Sequence, residues 1–176
     1  MKIKCVKEIK FKTFQKYYVI MTKNTKKYHT GSVTKAIMIK ASKEKIWKKI
    51  SNIVELSSWV VDVKKTTYLS KKRRNVGAIR KILFDDGNTI EEHIIAWKEG
   101  EYFTYLATEG LPLRAYVATL SIIPKNKNLS QLTWHSYLNS KKMSKGEFTN
   151  FVSFLEEFYK ESLGNLKKII EVSTKQ

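Results

Sequence analysis

The sequence predicts an α+β fold: a curved seven-stranded antiparallel β-sheet around one long C-terminal α-helix, with two short helices after the first strand. Two observations lead there. From Ser144 to Glu171, Phe148, Phe151, Val152, Leu155, Phe158, Tyr159, Leu166, Ile169 and Ile170 recur three or four residues apart. That spacing puts one broad apolar stripe on a helix of about 28 residues, roughly 42 Å long. Ahead of it, short strand-like segments alternate with compact polar turns, the pattern of consecutive antiparallel strands. A stripe of that length needs a large apolar surface to lie on. A curved sheet wrapped around such a helix tends to leave a cavity between them, so the expected role is a container for a small molecule.

The elements follow in order. Residues 1–31 are lysine-rich and without clear period, and they read as a basic, poorly ordered extension ahead of a ligand-binding domain at 32–172. Three other readings stay open for this segment: an extra edge strand through Ile9 and Phe11, a partner- or membrane-binding arm, or an over-long start with Met21 as the initiator. Its longest apolar run, Tyr17 to Met21, is too short for a signal-peptide core. Val33 to Lys40 reads as the first strand. Ser42 suits the N-cap of a short helix through Ile50, which places Ile46, Trp47 and Ile50 on one face. Asn52 to Trp59 reads as a second short helix or turn. Strands are expected at 61–69, 76–84, 89–98, 102–108, 113–124 and 129–138, before the long helix.

Bulk composition narrows the role. The net charge of +18 invites a nucleic-acid reading. Yet 30 of the 34 basic residues are lysine, and only Arg73, Arg74, Arg80 and Arg114 carry the forked group that base and phosphate recognition favours. The lysines are also spread along the chain, as on a solvated surface. No specific nucleic-acid partner is expected; weak, salt-sensitive contact with anionic membranes through the lysines stays open. The single cysteine, Cys5, excludes an internal disulfide and fits a reducing cytoplasm. No stretch approaches the 18 or more apolar residues of a membrane span. No metal or cofactor is expected: His29, His93 and His135 lack ligand spacing, and no P-loop, G-x-G-x-x-G or G-x-S-x-G occurs.

The turn at Asp85-Asp86-Gly87 fixes a register. A three-residue hairpin loop combines a type I turn with a left-handed residue, the place that Gly87 suits. Phe84 then faces Asn88, Ile82 faces Ile90 and Arg80 faces Glu92, all on one side because side-chain direction has period two. Ala78 and Ile94 extend that interior face. Arg80 and Glu92 therefore sit among apolar neighbours, and two readings compete. In one they form a cross-strand salt bridge, nearly neutral for stability and without chemistry. In the other they are the polar anchors of an apolar pocket. Arg80 then orients a carbonyl, enolate or carboxylate oxygen and Glu92 accepts or moves a proton.

Other pocket candidates come from the remaining elements. Trp134 is the preferred tryptophan, since it shares a face with Leu132 across from Tyr116 and Ala118. Trp59 could also stack on a ligand, although core packing is the default for tryptophan. Tyr102 and Tyr116 could present hydroxyls, and Phe151 and Leu155 lie on the helix stripe. Gly164 costs the long helix about 1 kcal/mol relative to Ala, in exchange for close sheet approach or room for a ligand. His135 alternates with Trp134 and is expected to face outward.

Several short motifs then line up in order: Ala41-Ser42-Lys43-Glu44-Lys45-Ile46-Trp47, Leu56-Ser57-Ser58-Trp59, Val76-Gly77-Ala78-Ile79-Arg80, Asp86-Gly87 before Glu92, Gly110-Leu111-Pro112, Tyr116-Val117-Ala118-Thr119, Leu132-Thr133-Trp134 and Leu163-Gly164-Asn165-Leu166-Lys167. In this order and spacing the chain resembles the START-like superfamily, in particular its polyketide cyclase/dehydrase (SRPBCC) group, across residues 33–171. The resemblance implies a helix-grip fold around an apolar cavity. Members of the lachrymatory-factor-synthase kind use an arginine and a glutamate in that cavity, and Arg80 and Glu92 fall at the matching positions. Val60-Val61 after Trp59 departs from the usual polar residue and proline, and His93 replaces a frequent arginine. The leading expectation is a binder of a hydrophobic or lipid-like ligand with acid–base cyclase, dehydratase or isomerase activity. The alternatives are a non-catalytic carrier or sensor and a protein-interaction module.

Overall fold

Seven strands lie side by side in the order β1-β7-β6-β5-β4-β3-β2, every neighbouring pair antiparallel. They are β1 (His29–Ile39), β2 (Val63–Tyr68), β3 (Ile79–Phe84), β4 (Thr89–Lys98), β5 (Tyr102–Glu109), β6 (Ala115–Asn126) and β7 (Leu129–Ser140). Helix α1 (Lys43–Ile50) and a 3-10 turn (Leu56–Ser58) fill the connection from β1 to β2, and the chain closes with α2 (Lys145–Val172). The computed structural model describes residues 28–172. The expected edge strand through Ile9 and Phe11, the Met21 start and most of the basic extension lie outside the described residues.

Local chemistry sets the boundaries. The Ser42 hydroxyl accepts from the Lys45 backbone N–H at the start of α1, while Ile46, Trp47 and Ile50 bury one face of it. At α2, Ser144 and Glu147 form a reciprocal capping box: the Glu147 carboxylate accepts from the Ser144 N–H, and the Ser144 hydroxyl from the Glu147 N–H. The helix runs for 28 residues and buries Phe148, Leu155, Tyr159, Leu163, Leu166 and Ile170. Strand β1 starts at His29, paired with Ser140, ahead of the expected strand start at Val33. Gly31 fits there because a Cβ would stand 3.2 Å from the Phe148 ring.

The β3–β4 hairpin has the expected register: Arg80 pairs with Glu92 and Ile82 with Ile90, around Gly87 at φ 87°. Alternation along β6 and β7 buries Tyr116, Ala118, Leu120, Ile122, Leu132, Trp134 and Leu138 on the face toward α2. Their register differs from the expected one in detail. Trp134 lies opposite Leu120, and Ala118 and Tyr116 lie opposite Ser136 and Leu138. Among the described residues no helix is long and apolar enough to cross a membrane.

Candidate functional site

Sheet and helix enclose a cavity of about 280 Å³. It reaches outward between the β3–β4 turn (Asp86, Asn88), the β5–β6 loop (Gly110, Leu111) and Phe154 on α2. Its walls are apolar and aromatic, with Ile82, Leu120, Trp134, Phe151, Leu155 and Phe158 among them. Small-molecule sites span ~300–1,000 Å³, so this volume suits a compact compound.

Arg80 and Glu92 are the buried charges of this wall, 2 % and 5 % exposed. The Arg80 Nε donates to Glu92 Oε2 at 2.7 Å, and Nη2 stands 2.7 Å from the same oxygen. Nη1 donates to the Ile53 carbonyl at 2.8 Å, which ties the pair to the segment between α1 and the 3-10 turn. The guanidinium also lies 4.9 Å from the Tyr105 ring centre, a cation–π contact in a water-poor setting. Both bonds to Glu92 end on Oε2, which leaves Oε1 outside the ion pair. Burial pushes the Glu92 carboxyl above its usual pKa, and Arg80 only partly opposes that shift.

Beside the pair runs a row of phenols. Trp134 Nε1 donates to the Tyr105 hydroxyl at 2.9 Å. The Tyr116 and Tyr159 hydroxyls are hydrogen-bonded to each other, and the Tyr159 ring stacks flat on Trp134 with centroids 4.1 Å apart. Burial raises the pKa of Tyr105, Tyr116 and Tyr159. These hydroxyls therefore stay neutral and remain able to donate. Trp59 packs against Trp134, and its Nε1 is buried without a hydrogen-bond partner. A carboxyl with a raised pKa, a fixed positive charge and neutral phenols can bind an oxygen function and move a proton to or from it.

The structure brings Arg80, Glu92, Trp59, Ile82, Tyr116, Trp134, Phe151 and Leu155 to this cavity. It does not bring Ala78, Ile94, Ala118 or Tyr102 there. Ala78, Ile94 and Ala118 are fully buried on the inner face, but they are packed into the core and do not border the void. Tyr102 is a correction of face. Phe103 and Tyr105 point inward on β5, so Tyr102, an odd number of residues away, points outward. Tyr105 takes the expected place of Tyr102, and Tyr159 is the other phenol that sequence reasoning missed. The signal for Tyr105 was its two-residue spacing from Phe103, which puts both on one face. It is blurred because β4 carries irregularities against β5 at Glu91/Glu92 and at Ile94/Ala96.

His135 and His93 lie on the outer side of the sheet, whereas His29 stacks on Phe148 of α2 with ring centres 5.8 Å apart. His135 contacts the Thr34 hydroxyl at 2.7 Å, and His93 contacts Glu91 at 2.8 Å. Among the described residues, no group of three or more His, Cys, Asp or Glu could hold a metal ion. Val60, one of the two departures from the superfamily pattern, borders the cavity.

Comparison with known proteins agrees with this architecture. The model of a family described as polyketide cyclase / dehydrase and lipid transport matches residues 30–171. Solved structures with the same fold include protein XoxI from Bacillus cereus, at TM-score 0.71 and 20% identity, covering 83% of this chain and 99% of that one. The Zhui aromatase/cyclase from Streptomyces sp. R1128 aligns at TM-score 0.68 and 12% identity, covering 81% and 94%. Norcoclaurine synthase from Thalictrum flavum, in complex with dopamine and hydroxybenzaldehyde, aligns at TM-score 0.63 and 17% identity, covering 81% and 87%. At these identities the likeness establishes the helix-grip fold. No curated protein matches the sequence.

Proposed function

This chain belongs to the polyketide cyclase/dehydrase and lipid transport family, and on that premise we propose that it binds a small apolar compound bearing an oxygen function and acts on it by acid–base chemistry. The observation that carries this reading is the Arg80–Glu92 pair, buried in the wall of an otherwise apolar cavity. In a cyclisation, dehydration or isomerisation, Glu92 takes or returns the proton. Burial raises its pKa, which makes the carboxylate a stronger base than an exposed one. Arg80 holds Glu92 in place and supplies positive charge near a developing enolate. Tyr105 and Tyr116, kept neutral by burial, donate to the same oxygen. The single cysteine fits a reducing, cytoplasmic setting.

A carrier without chemistry is the second reading. It is favoured by one observation: three Arg80 N–H groups are already taken up by Glu92 and the Ile53 carbonyl. Native mass spectrometry of protein purified from its own host should reveal a retained compound of modest size. The Glu92→Gln variant should retain that compound and lose its conversion, followed by chromatography and mass spectrometry. Undiminished conversion would remove Glu92 from the mechanism. Retention with no conversion by either protein would establish the carrier.

A further inference from the structure

A second concavity lies at the opposite end of β3 from the cavity opening. Helix α1, the β2–β3 loop and the β4–β5 turn surround a cleft of about 640 Å³. Its lining holds four cations, Lys43, Lys48, Arg73 and Arg74, against two carboxylates, Glu44 and Glu99. The two carboxylates offset only part of that charge. Glu99 accepts from the indole N–H groups of Trp47 and Trp97, at 2.7 and 2.8 Å, and from Arg74 at 2.9 Å. Glu44 is hydrogen-bonded at the start of α1 by Ser42 and feels the neighbouring charge of Lys43.

The cations differ in how they are held. Arg74 lies over Trp97 at 5.7 Å and Arg73 over Tyr68 at 4.6 Å, so aromatic rings fix both guanidinium groups at the cleft. Arg73, Lys43 and Lys48 form no salt bridge among the described residues. Lys71 and Lys72 stand on the same loop. Set against Glu44, the three cations Lys43, Lys48 and Arg73 still leave an excess of positive charge around one hollow, and that concentrates positive potential there. A ring-supported guanidinium is pre-organised, and its fork matches the oxygens of a phosphate. A monovalent carboxylate would satisfy only part of this charge; a phosphate, with up to two charges and several acceptor oxygens, satisfies more of it.

We propose that this cleft is a second ligand site that takes a phosphate group. The site is independent of the cavity and of the chemistry assigned to Glu92. The phosphate belongs either to a free metabolite or to a lipid headgroup. The exposed Leu69 and Val76, which flank the basic loop, would meet the acyl region in the second case.

The test uses the full chain at physiological salt with two probes: pyrophosphate, and phosphatidylcholine vesicles with or without phosphatidic acid. The variant Lys48→Gln/Arg73→Gln alters the cleft. A control, Lys64→Gln/Lys65→Gln, removes the same charge from exposed positions on β2. Both pairs lie on the surface, and circular dichroism confirms folding. Saturable pyrophosphate binding, weakened at least about tenfold by the cleft variant and not by the control, supports a free phosphate ligand. Binding to phosphatidic acid vesicles alone, with the same dependence on the cleft, supports a lipid headgroup. No binding to either probe, or equal weakening by both variants, overturns the proposal and reduces the attraction to general surface charge.

Discussion

Arg80 and Glu92 each make the other tolerable in the core. Removing one partner from a buried pair leaves an uncompensated charge, which costs about 3–5 kcal/mol, whereas replacing both by apolar groups is often nearly neutral. Arg80→Met and Glu92→Met should each lower the urea midpoint strongly. The double variant should recover most of the loss while abolishing conversion of the cavity compound. Additive losses would show that the two side chains do not act as a pair. Glu92 also sets the sign of a pH effect. Its folded pKa lies above the usual 4.5, so between those two values the folded chain binds more protons than the unfolded one. The stabilisation is fully present below 4.5 and is lost as pH rises through the folded value. Urea midpoints of the wild type should fall across that window more steeply than those of Glu92→Gln. Parallel profiles would return the carboxyl to its ordinary pKa. The placement of this pair was legible in the sequence because Asp85-Asp86-Gly87 pins the register within twelve residues. Its link to the Ile53 carbonyl was not legible, since nothing local brings residues 27 positions apart together.

At the scale of elements, two glycines separate propensity from geometry. Gly164 sits inside α2, where a Cβ would meet nothing within 4 Å. Neither close sheet approach nor ligand room explains it there. Gly164→Ala should stabilise the protein by about 0.5–1 kcal/mol, seen as a rise in Tm of about 1–4 °C. An unchanged or lower Tm would mean that the helix gains nothing from the methyl group. Gly110 is the opposite case. Its φ is 89°, and a Cβ would fall 1.9 Å from the Thr89 carbonyl oxygen. Gly110→Ala should cost more than about 1 kcal/mol and disturb the cavity rim that this residue borders. The same contrast explains what could be read in advance. Regular elements such as α2 and β4 announce themselves by period, and α2 has the expected length. The roles of Tyr105 and Tyr159 in the site did not, because they arise from side chains that meet across β5, β6 and α2 and have no shared local pattern.

For the molecule as a whole, the cavity volume sets what an occupant contributes. A compound that binds only the folded chain stabilises it by about 2.7 kcal/mol at one hundred times its Kd. Stripping the protein by extraction on a hydrophobic resin should lower Tm, and returning the extract should restore it. Equal Tm values before and after would mean that the cavity leaves the host unfilled. The layer arrangement and the path of the chain could be anticipated because stripe, turns and strand number all demand one answer. The volume could not, since it depends on how far Trp134, Tyr105 and Phe158 fill the space between the layers.

The border of the sheet at β2 has a consequence of its own. That strand is only six residues long, is irregular between Val63 and Lys65, and presents the exposed ammonium groups of Lys64 and Lys65. A second copy adding its strand there would have to bring like charges together and straighten a kink. Two of the many lysines thus make this short margin of the sheet a poor template for a second copy.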